Sequence, residues 1–245
     1  MFKEIDFQRT PLGDISLRKR AEPRLNNKVL YEVKLNEEFL MSSLFVEAEV
    51  ALSHLGLAGL DAVFTDGLDV IVGGLGLGHT AITALEHRYV RSLQVIEVMD
   101  AVIRWHNNDL VPRGKELATE PRCRLVQADF FEAATHPCLN FDGSSCEEGD
   151  FQQVHAVLLD IDHSPSYWLN PGNNTFYTEE GLRAMSHKIL PGGVFALWSD
   201  ELPDTEFTAR LASIFDCVEN HVIRFENPYT LSESTNSVYV AKKKA

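Results

Sequence analysis

The chain has 245 residues, of which 22 are Lys or Arg and 36 are Asp or Glu, so its formal net charge is −14. Hydrophobic residues make up 44% and charged residues 24% of the chain, an ordinary composition for a globular protein with a sizeable core. The acidity argues against a nucleic-acid-binding surface, which needs clustered Lys and Arg, and no apolar run is long enough to predict a membrane span.

Residues 1–43 are predicted to form a small N-terminal β element. Apolar and polar residues alternate over 15–18 and 29–35, as in half-buried strands, and 38–41 is a further candidate. Ser43 precedes an apolar-periodic run that ends near Gly56, so we expect a helix there with Ser43 as its N-cap.

From residue 69 onward, short apolar runs alternate with helical stretches, which is typical of a parallel sheet covered on both faces. We therefore predict a Rossmann-like, doubly wound α/β domain over 44–245, with a mostly parallel seven-stranded sheet that ends in an antiparallel hairpin. Segment 132–150 is predicted to be a surface loop. The candidate strands are 70–73, 93–97, 124–127, 154–160, 194–198, 218–225 and 238–241, and the candidate helices lie near 79–88, 100–107, 178–189 and 204–214.

The four cysteines, Cys123, Cys138, Cys146 and Cys217, show no C-x-x-C spacing. In a chain of this length they are expected to be reduced thiols, which favours a cytoplasmic location. Cys138 and Cys146 flank a Gly/Ser segment, so a loop there could bring the two side chains into contact.

A glycine-rich turn is the sharpest local signal. The buried strand that ends at Gly73 leads directly into Gly74, Gly76 and Gly78, and a helix follows. Glycines let a ligand approach the backbone, and a helix N-terminus offers free N–H groups. Glu97 ends the next strand 19 residues after Gly78, the position from which an acid binds a ribose hydroxyl pair. Together these features predict a nucleoside-containing ligand.

The kind of nucleoside depends on the rest of the chain. The register of the glycines fits the dinucleotide fingerprint poorly, which disfavours an oxidoreductase. Asp129, at the end of the third strand, is placed to accept from an adenine amino group, or alternatively to cap the next helix. The Pro-Gly-Gly segment in 190–193 is predicted to be a structural turn between a helix and a strand.

These residues resemble the spermidine synthase family, on the class I S-adenosylmethionine-dependent methyltransferase fold. The matching segments are 70–78, 95–103, 126–131, 157–165, 176–182 and 190–199. The block Leu-Asp-Ile-Asp-His-Ser-Pro at 159–165, followed by Phe-Tyr-Thr-Glu-Glu at 176–180, is particular to the synthase branch. The N-terminal β element is similar to the small domain that precedes the Rossmann-like part in these enzymes.

The resemblance implies a cofactor, S-adenosylmethionine or its decarboxylated form, and a small-molecule amine as substrate. It implies that Gly74, Gly76 and Gly78 line the methionine portion, that Glu97 holds the ribose and that Asp129 holds the adenine amino group. Homo-oligomers are common in the family, so the resemblance leaves a homo-oligomer open as an expectation. The resemblance also implies that Asp160 takes the proton of the attacking amine.

Departures from the family pattern concern the acceptor side. His163 stands where the synthases carry a second aspartate, Asp162 is one position away from it, and Trp198 stands where a glutamine is usual. The family's N-terminal glutamine, expected near Leu40 or Met41, is absent from the sequence. A diamine needs carboxylates at both ends of its slot, because an unpaired buried ammonium is costly.

The segment from Asp160 onward carries the candidate chemistry. Asp160, at the end of a strand, suits proton acceptance from an amine or hydroxyl nucleophile, and His163 is a second candidate base. Asp162 and Tyr177 are candidates for substrate binding, as is Trp198, for which core packing is the alternative. A divalent metal held by Asp160, Asp162 and His163 is a less favoured interpretation, because ligands so close in sequence rarely converge.

The leading functional prediction is aminopropyl transfer from decarboxylated S-adenosylmethionine to an amine. Methyl transfer to a small molecule and a non-catalytic nucleoside-binding module stay open as alternatives. No metal, nucleic acid or membrane is expected to take part.

Overall fold

The computed structural model describes residues 2–244. Its first four strands form an antiparallel sheet in chain order, which confirms the predicted N-terminal β element and adds one strand at its start. Inward-facing residues such as Ile15, Leu17 and Val33 are almost fully buried, as the alternating pattern requires. The strands are β1 (Phe2–Thr10), β2 (Gly13–Glu22), β3 (Lys28–Leu35) and β4 (Glu38–Ser42).

The remaining strands form a seven-stranded sheet in the order β10-β11-β9-β8-β5-β6-β7. Strands β5 to β9 are parallel, and β11 runs antiparallel to both β9 and β10. The predicted fold class, with its C-terminal antiparallel hairpin, is confirmed. The strands are β5 (Leu68–Gly73), β6 (Val90–Glu97), β7 (Cys123–Gln127), β8 (Val154–Leu159), β9 (Ile189–Ser199), β10 (Cys217–Asn227) and β11 (Ser232–Lys242).

Helices cover both faces of this sheet, and each face has its own core. Val70 and Val72 of β5 belong to one core, whereas Ile71 between them belongs to the other, because side chains alternate along a strand. The helices are α1 (Glu47–Leu57), α2 (His79–Glu86), α3 (Asp100–Asn107), α4 (Gly114–Thr119), α5 (Phe130–Thr135), α6 (Glu179–His187) and α7 (Thr205–Ala212).

The strand order reverses between β5 and β8. After β5 the chain adds β6 and β7 on one side, and it then returns to add β8 and β9 on the other. Ligands in open α/β sheets bind where the order reverses, beyond the carboxyl ends of the strands. Two segments meet there, because the Asp160 N–H donates to the Gly73 carbonyl oxygen at 2.8 Å.

The N-terminal sheet shares a core with the seven-stranded sheet. Ile15 and Val33 belong to the same buried cluster as Val72 and Trp105. The Trp105 indole N–H also donates to the Asp6 carboxylate at 2.7 Å. These contacts place the N-terminal sheet over one end of the larger sheet. The domain boundary at residue 43 stays a prediction.

Two local predictions are wrong. Helix α1 begins at Glu47, and Ser43 is not its N-cap, because the Ser43 hydroxyl accepts from the Tyr31 N–H at 3.0 Å. The segment 190–193 is not a separate turn but part of β9. Its glycines pair with the C-terminal end of the chain, where the Gly192 N–H donates to the Lys244 carbonyl oxygen at 3.0 Å.

The segment 132–150 is a surface loop from residue 136 onward, as predicted, whereas 132–135 is helical. It begins inside α5 and continues into a short hairpin, in which Leu139 and Ser145 form an antiparallel bridge. Within residues 2–244, we find no helix long and apolar enough to cross a membrane.

Candidate functional site

The glycine turn after β5 brings the backbone very close to its neighbours. Gly74 has φ of +95°, and a Cβ atom on it would lie 2.1 Å from the Asp160 carbonyl oxygen. A Cβ atom on Gly76 would lie 2.6 Å from the Met41 sulfur. Gly78, with φ of +84°, forms the N-cap of α2. Only glycine satisfies both the positive φ and the close approach.

Glu97 holds the turn from the adjacent strand. Its side chain is 8% exposed at the end of β6. One carboxylate oxygen accepts from the Leu75 N–H at 3.1 Å and the other from the Met99 N–H at 2.8 Å. Burial raises the pKa of Glu97, and the backbone N–H groups oppose that rise. A carboxylate oxygen has more than one acceptor site, so both oxygens keep capacity for hydroxyl donors.

Asp129 caps helix α5 and also lines a cavity. As N-cap of α5, its Oδ1 accepts from the Phe131 N–H at 2.9 Å and from the Glu132 N–H at 3.2 Å. The same residue also lines a cavity together with Glu97. The capping role is therefore observed, and the predicted contact with an adenine amino group stays a prediction.

Two adjoining cavities open at this end of the sheet. The first has a volume of about 120 Å³ and extends from the glycine turn past Glu97 and Asp129. The N-terminal sheet roofs it with apolar side chains, namely Leu12, Ile15, Val33 and Leu35. The second has a volume of about 290 Å³ and lies between the glycine turn, α1 and the end of β9. We refer to them as the first cavity and the second cavity.

Asp160 lines both cavities. It follows β8 directly, and its Oδ2 accepts from the Thr80 hydroxyl at 2.6 Å. Burial raises the pKa of Asp160, and the Thr80 hydrogen bond opposes that rise. Gly76 and Met41 also line both cavities, so the two spaces adjoin at these residues and Asp160.

Glu49 is a candidate site residue that the sequence prediction missed. It lies on α1 and lines the second cavity with Asp160. Burial and the negative charge of Asp160 both raise the pKa of Glu49. The available signal was an acid inside an apolar helical run, next to the buried Ala48. A cation in this cavity would stabilise the ionised forms of both acids, because an opposite charge offsets their desolvation.

His163 is held between two acids at the edge of the second cavity. Its Nε2 lies 3.2 Å from a Glu38 carboxylate oxygen and its Nδ1 lies 3.4 Å from one of Asp200. The ring stacks on Tyr167, whose hydroxyl donates to Glu38 at 2.8 Å. The hydrogen bond to Asp200 and the charges of both acids raise the pKa of His163, against burial. Both acids therefore stabilise the protonated form of His163 relative to the neutral form, and its role as a base stays a prediction.

This arrangement predicts a pH-dependent contribution to stability. A raised folded-state pKa stabilises the protein fully below the unfolded value of about 6.5, and the contribution is lost as pH rises through the folded value. We expect His163→Asn to lower the free energy of unfolding more at about pH 5.5 than at about pH 9. Urea titrations of both proteins at the two pH values measure this difference. A difference that does not change with pH would contradict the ion-pair assignment.

Asp162 and Tyr177 are brought together, but away from both cavities. The Tyr177 hydroxyl donates to Asp162 at 2.9 Å, and the Asn173 amide donates to it at 3.0 Å. Both side chains are at most 2% exposed and belong to neither cavity lining. Their observed roles are structural, and substrate binding by them stays untested. Trp198 lines the second cavity and also packs against the core.

The three residues considered as metal ligands do not converge. Asp160 bonds Thr80, Asp162 bonds Asn173 and Tyr177, and His163 contacts Glu38 and Asp200. Over the described part of the chain, no three or more His, Cys, Asp or Glu side chains are grouped to hold a metal ion.

Comparison with known proteins gives structural matches only. No protein-family model and no curated protein matches the chain. A spermidine synthase in complex with the transition-state analogue AdoDATO aligns with a TM-score of 0.68 and 18% identity, over 98% of this chain and 74% of the other. Spermidine synthase from Thermotoga maritima aligns with a TM-score of 0.66 and 17% identity, over 98% of this chain and 73% of the other. Human methyltransferase-like protein 13 in complex with SAH aligns with a TM-score of 0.58 and 16% identity, over 80% of this chain and 82% of the other.

At these identities the likeness establishes the fold. The chain has a Rossmann-like methyltransferase fold, and the two synthase matches extend over nearly all of it, including the N-terminal sheet. The predicted spermidine synthase-like fold is confirmed.

Proposed function

We propose that this protein transfers an aminopropyl group from decarboxylated S-adenosylmethionine to an amine. The observation that carries the proposal is the position of Asp160, which lies where the first and second cavities meet. A donor in the first cavity and an acceptor in the second would react beside this carboxylate.

The residues that line the first cavity support binding of an adenosyl group. Glu97 offers two carboxylate oxygens to the ribose hydroxyls, and Asp129 stands further along the same wall. Gly74 and Gly76 line this cavity, and without side chains they leave their backbone accessible to a ligand. Apolar side chains of the N-terminal sheet exclude water from the same space. When bound, an adenosyl sulfonium supplies an electrophilic carbon and a neutral thioether leaving group.

Asp160 is assigned the role of proton acceptor. An amine attacks only in its neutral form, so the proton of an ammonium must be removed near the reaction centre. The Thr80 hydroxyl donates to one oxygen of Asp160 and fixes its orientation, which leaves the other oxygen for the acceptor. The raised pKa of Asp160 brings its basicity closer to the working pH, where general bases are most effective.

The second cavity supports an amine acceptor. Glu49 and Asp160 provide two acidic groups, whose ionised forms a bound cation would favour, and the walls are apolar and aromatic at Phe45, Trp198 and Phe225. A cationic amine would be stabilised by the carboxylates, while its carbon chain would bury apolar surface. The overall charge of −14 also favours the approach of a cation.

Methyl transfer to a small molecule is the second candidate. The observation that favours it is that the Asp162 carboxylate is buried and accepts hydrogen bonds from Asn173 and Tyr177. Asp162 is therefore not free to bind the second ammonium group of a diamine. The match to a methyltransferase in complex with SAH is consistent with this alternative at the level of fold.

A donor comparison tests the proposal. The protein is incubated with butane-1,4-diamine and either decarboxylated or intact S-adenosylmethionine, and products are identified by mass spectrometry. We expect methylthioadenosine and an acceptor heavier by one aminopropyl group from the decarboxylated donor. If the products from intact S-adenosylmethionine are S-adenosylhomocysteine and a methylated acceptor, the reaction is methyl transfer and the aminopropyl proposal is wrong. If neither donor reacts and neither raises the melting temperature of the protein, both transferase proposals are wrong.

A further inference from the structure

The hairpin between α5 and β8 carries two cysteines that the proposed function does not use. Cys138 and Cys146 lie on its two arms, and both are free and partly exposed. The Cys146 N–H donates to the Cys138 carbonyl oxygen at 2.9 Å, and the next residues inward, Leu139 and Ser145, form an antiparallel bridge. This register sets Cys138 directly opposite Cys146.

The neighbouring pair on the same face shows that side chains meet across this hairpin. Asn140 and Ser144 lie opposite each other, and the Asn140 amide donates to the Ser144 hydroxyl at 3.1 Å. Directly opposite residues joined by a backbone hydrogen bond have Cα atoms about 5.5 Å apart. Disulfides span Cα distances of about 4.4–6.8 Å, so the Cα spacing expected of opposite residues such as Cys138 and Cys146 lies within the disulfide range.

A buried lysine supplies positive charge beside the pair. The Lys188 ammonium donates to the carbonyl oxygens of His136 and Leu139 at 2.9 and 2.7 Å, directly against the first arm of the hairpin. Burial lowers the pKa of Lys188 to about 8. Its hydrogen bond to Leu139 ties the ammonium to the residue next to Cys138.

We propose that Cys138 and Cys146 form an oxidation site that a small-molecule disulfide converts to an intramolecular disulfide. The Cys146 thiolate attacks one sulfur of the small disulfide, which forms a mixed disulfide and releases one small thiolate. The Cys138 thiolate then attacks the Cys146 sulfur and expels the second. Two electrons pass from the protein to the small disulfide, and the two protons lost by the cysteines are taken up by the two small thiolates released.

The oxidation site adjoins the first cavity without being part of it. Phe141, in the turn of the hairpin, stacks on Phe130 with ring centroids 6.0 Å apart, and Phe130 lines the first cavity. Closing the disulfide therefore restrains a hairpin that supports this wall. The inference does not depend on what binds in the cavity.

Glutathione equilibration of the full chain tests the proposal. Cys217→Ser removes the exposed thiol, and Cys123 stays as an internal control, because burial raises its pKa to about 12. The protein is equilibrated with reduced and oxidised glutathione, quenched with acid, alkylated and cleaved next to Phe141. We expect a disulfide-linked pair of peptides containing Cys138 and Cys146, with an equilibrium constant at least about tenfold higher in the native protein than in urea.

Variants identify the intermediate. With Cys138→Ser in the same background, the reaction is expected to stop at a glutathione adduct on Cys146. Separate glutathione adducts on both cysteines in the native protein, two free thiols at equilibrium, or a linked pair formed equally well in urea would each overturn the proposal.

Discussion

Asp160→Asn is expected to lower kcat of the transfer reaction by about 10²–10⁴-fold, the usual contribution of a general base. Asparagine has nearly the same size and still accepts the 2.6 Å hydrogen bond from the Thr80 hydroxyl. It cannot take up the proton of the attacking amine. The affinity for an adenosyl thioether should stay unchanged, because Glu97 and the glycine turn would hold that ligand. Steady-state kinetics and a binding titration on the same preparation measure both quantities.

Matched variants separate proton transfer from other effects. Thr80→Ser keeps the hydroxyl donor to Asp160 and should keep most of the activity. Glu49→Gln removes the second carboxylate of the cavity, and we expect it to raise KM for the amine more than it lowers kcat. Undiminished turnover in Asp160→Asn would remove this residue from the chemistry, even if the transferase activity itself is found.

Gly74→Ala is the second variant for which we expect a large effect. Its Cβ atom would lie 2.1 Å from the Asp160 carbonyl oxygen, a backbone atom that cannot rotate away. The positive φ of +95° adds backbone strain of about 1–3 kcal/mol. We expect the free energy of unfolding to fall by about 3 kcal/mol or more, as for other severe steric substitutions. Adenosyl binding should be lost as well, because β5 and the Asp160 segment must separate. Urea unfolding and a binding titration measure these two effects.

Gly59→Ala provides a matched control. Gly59 has a similar positive φ of +73°, but a Cβ atom there would meet nothing within 4 Å. This variant should lose only the cost of a left-handed residue, about 1–2 kcal/mol, and should bind the ligand normally. Equal destabilisation of the two variants would mean that the contact between Gly74 and Asp160 is not tight.

The sequence predicts the larger sheet well because its strands are continuous apolar runs. Strands such as β5 and β8 are buried on both faces and carry apolar residues at most positions, with Asp69 and His155 as exceptions, which makes them conspicuous. The helices α4 and α5 have six residues each and bury too few of them to produce a periodic pattern. Serine is a favoured N-cap residue, but the Ser43 hydroxyl accepts a hydrogen bond from Tyr31 of strand β3 instead. No local sequence pattern predicts this contact.

In the candidate site, too, some residues are predictable from local sequence patterns and others depend on tertiary contacts. The glycine turn, Glu97 and Asp160 are predictable because each sits at the end of a parallel strand, and such ends meet at one edge of a sheet. Glu49 and the acids around His163 come from distant elements, so only the folded chain brings them together. Asp162 lies two residues after Asp160, yet its carboxylate is turned into the core by Tyr177 and Asn173.

A crystal structure of the protein with methylthioadenosine tests the account most directly. We expect the ribose hydroxyls to donate to the two carboxylate oxygens of Glu97, and the thioether to lie along the backbone of Gly74 and Gly76 with Asp160 beside it. A ligand bound elsewhere, or a first cavity closed by the apolar side chains of the N-terminal sheet when the ligand is present in excess, would contradict the account.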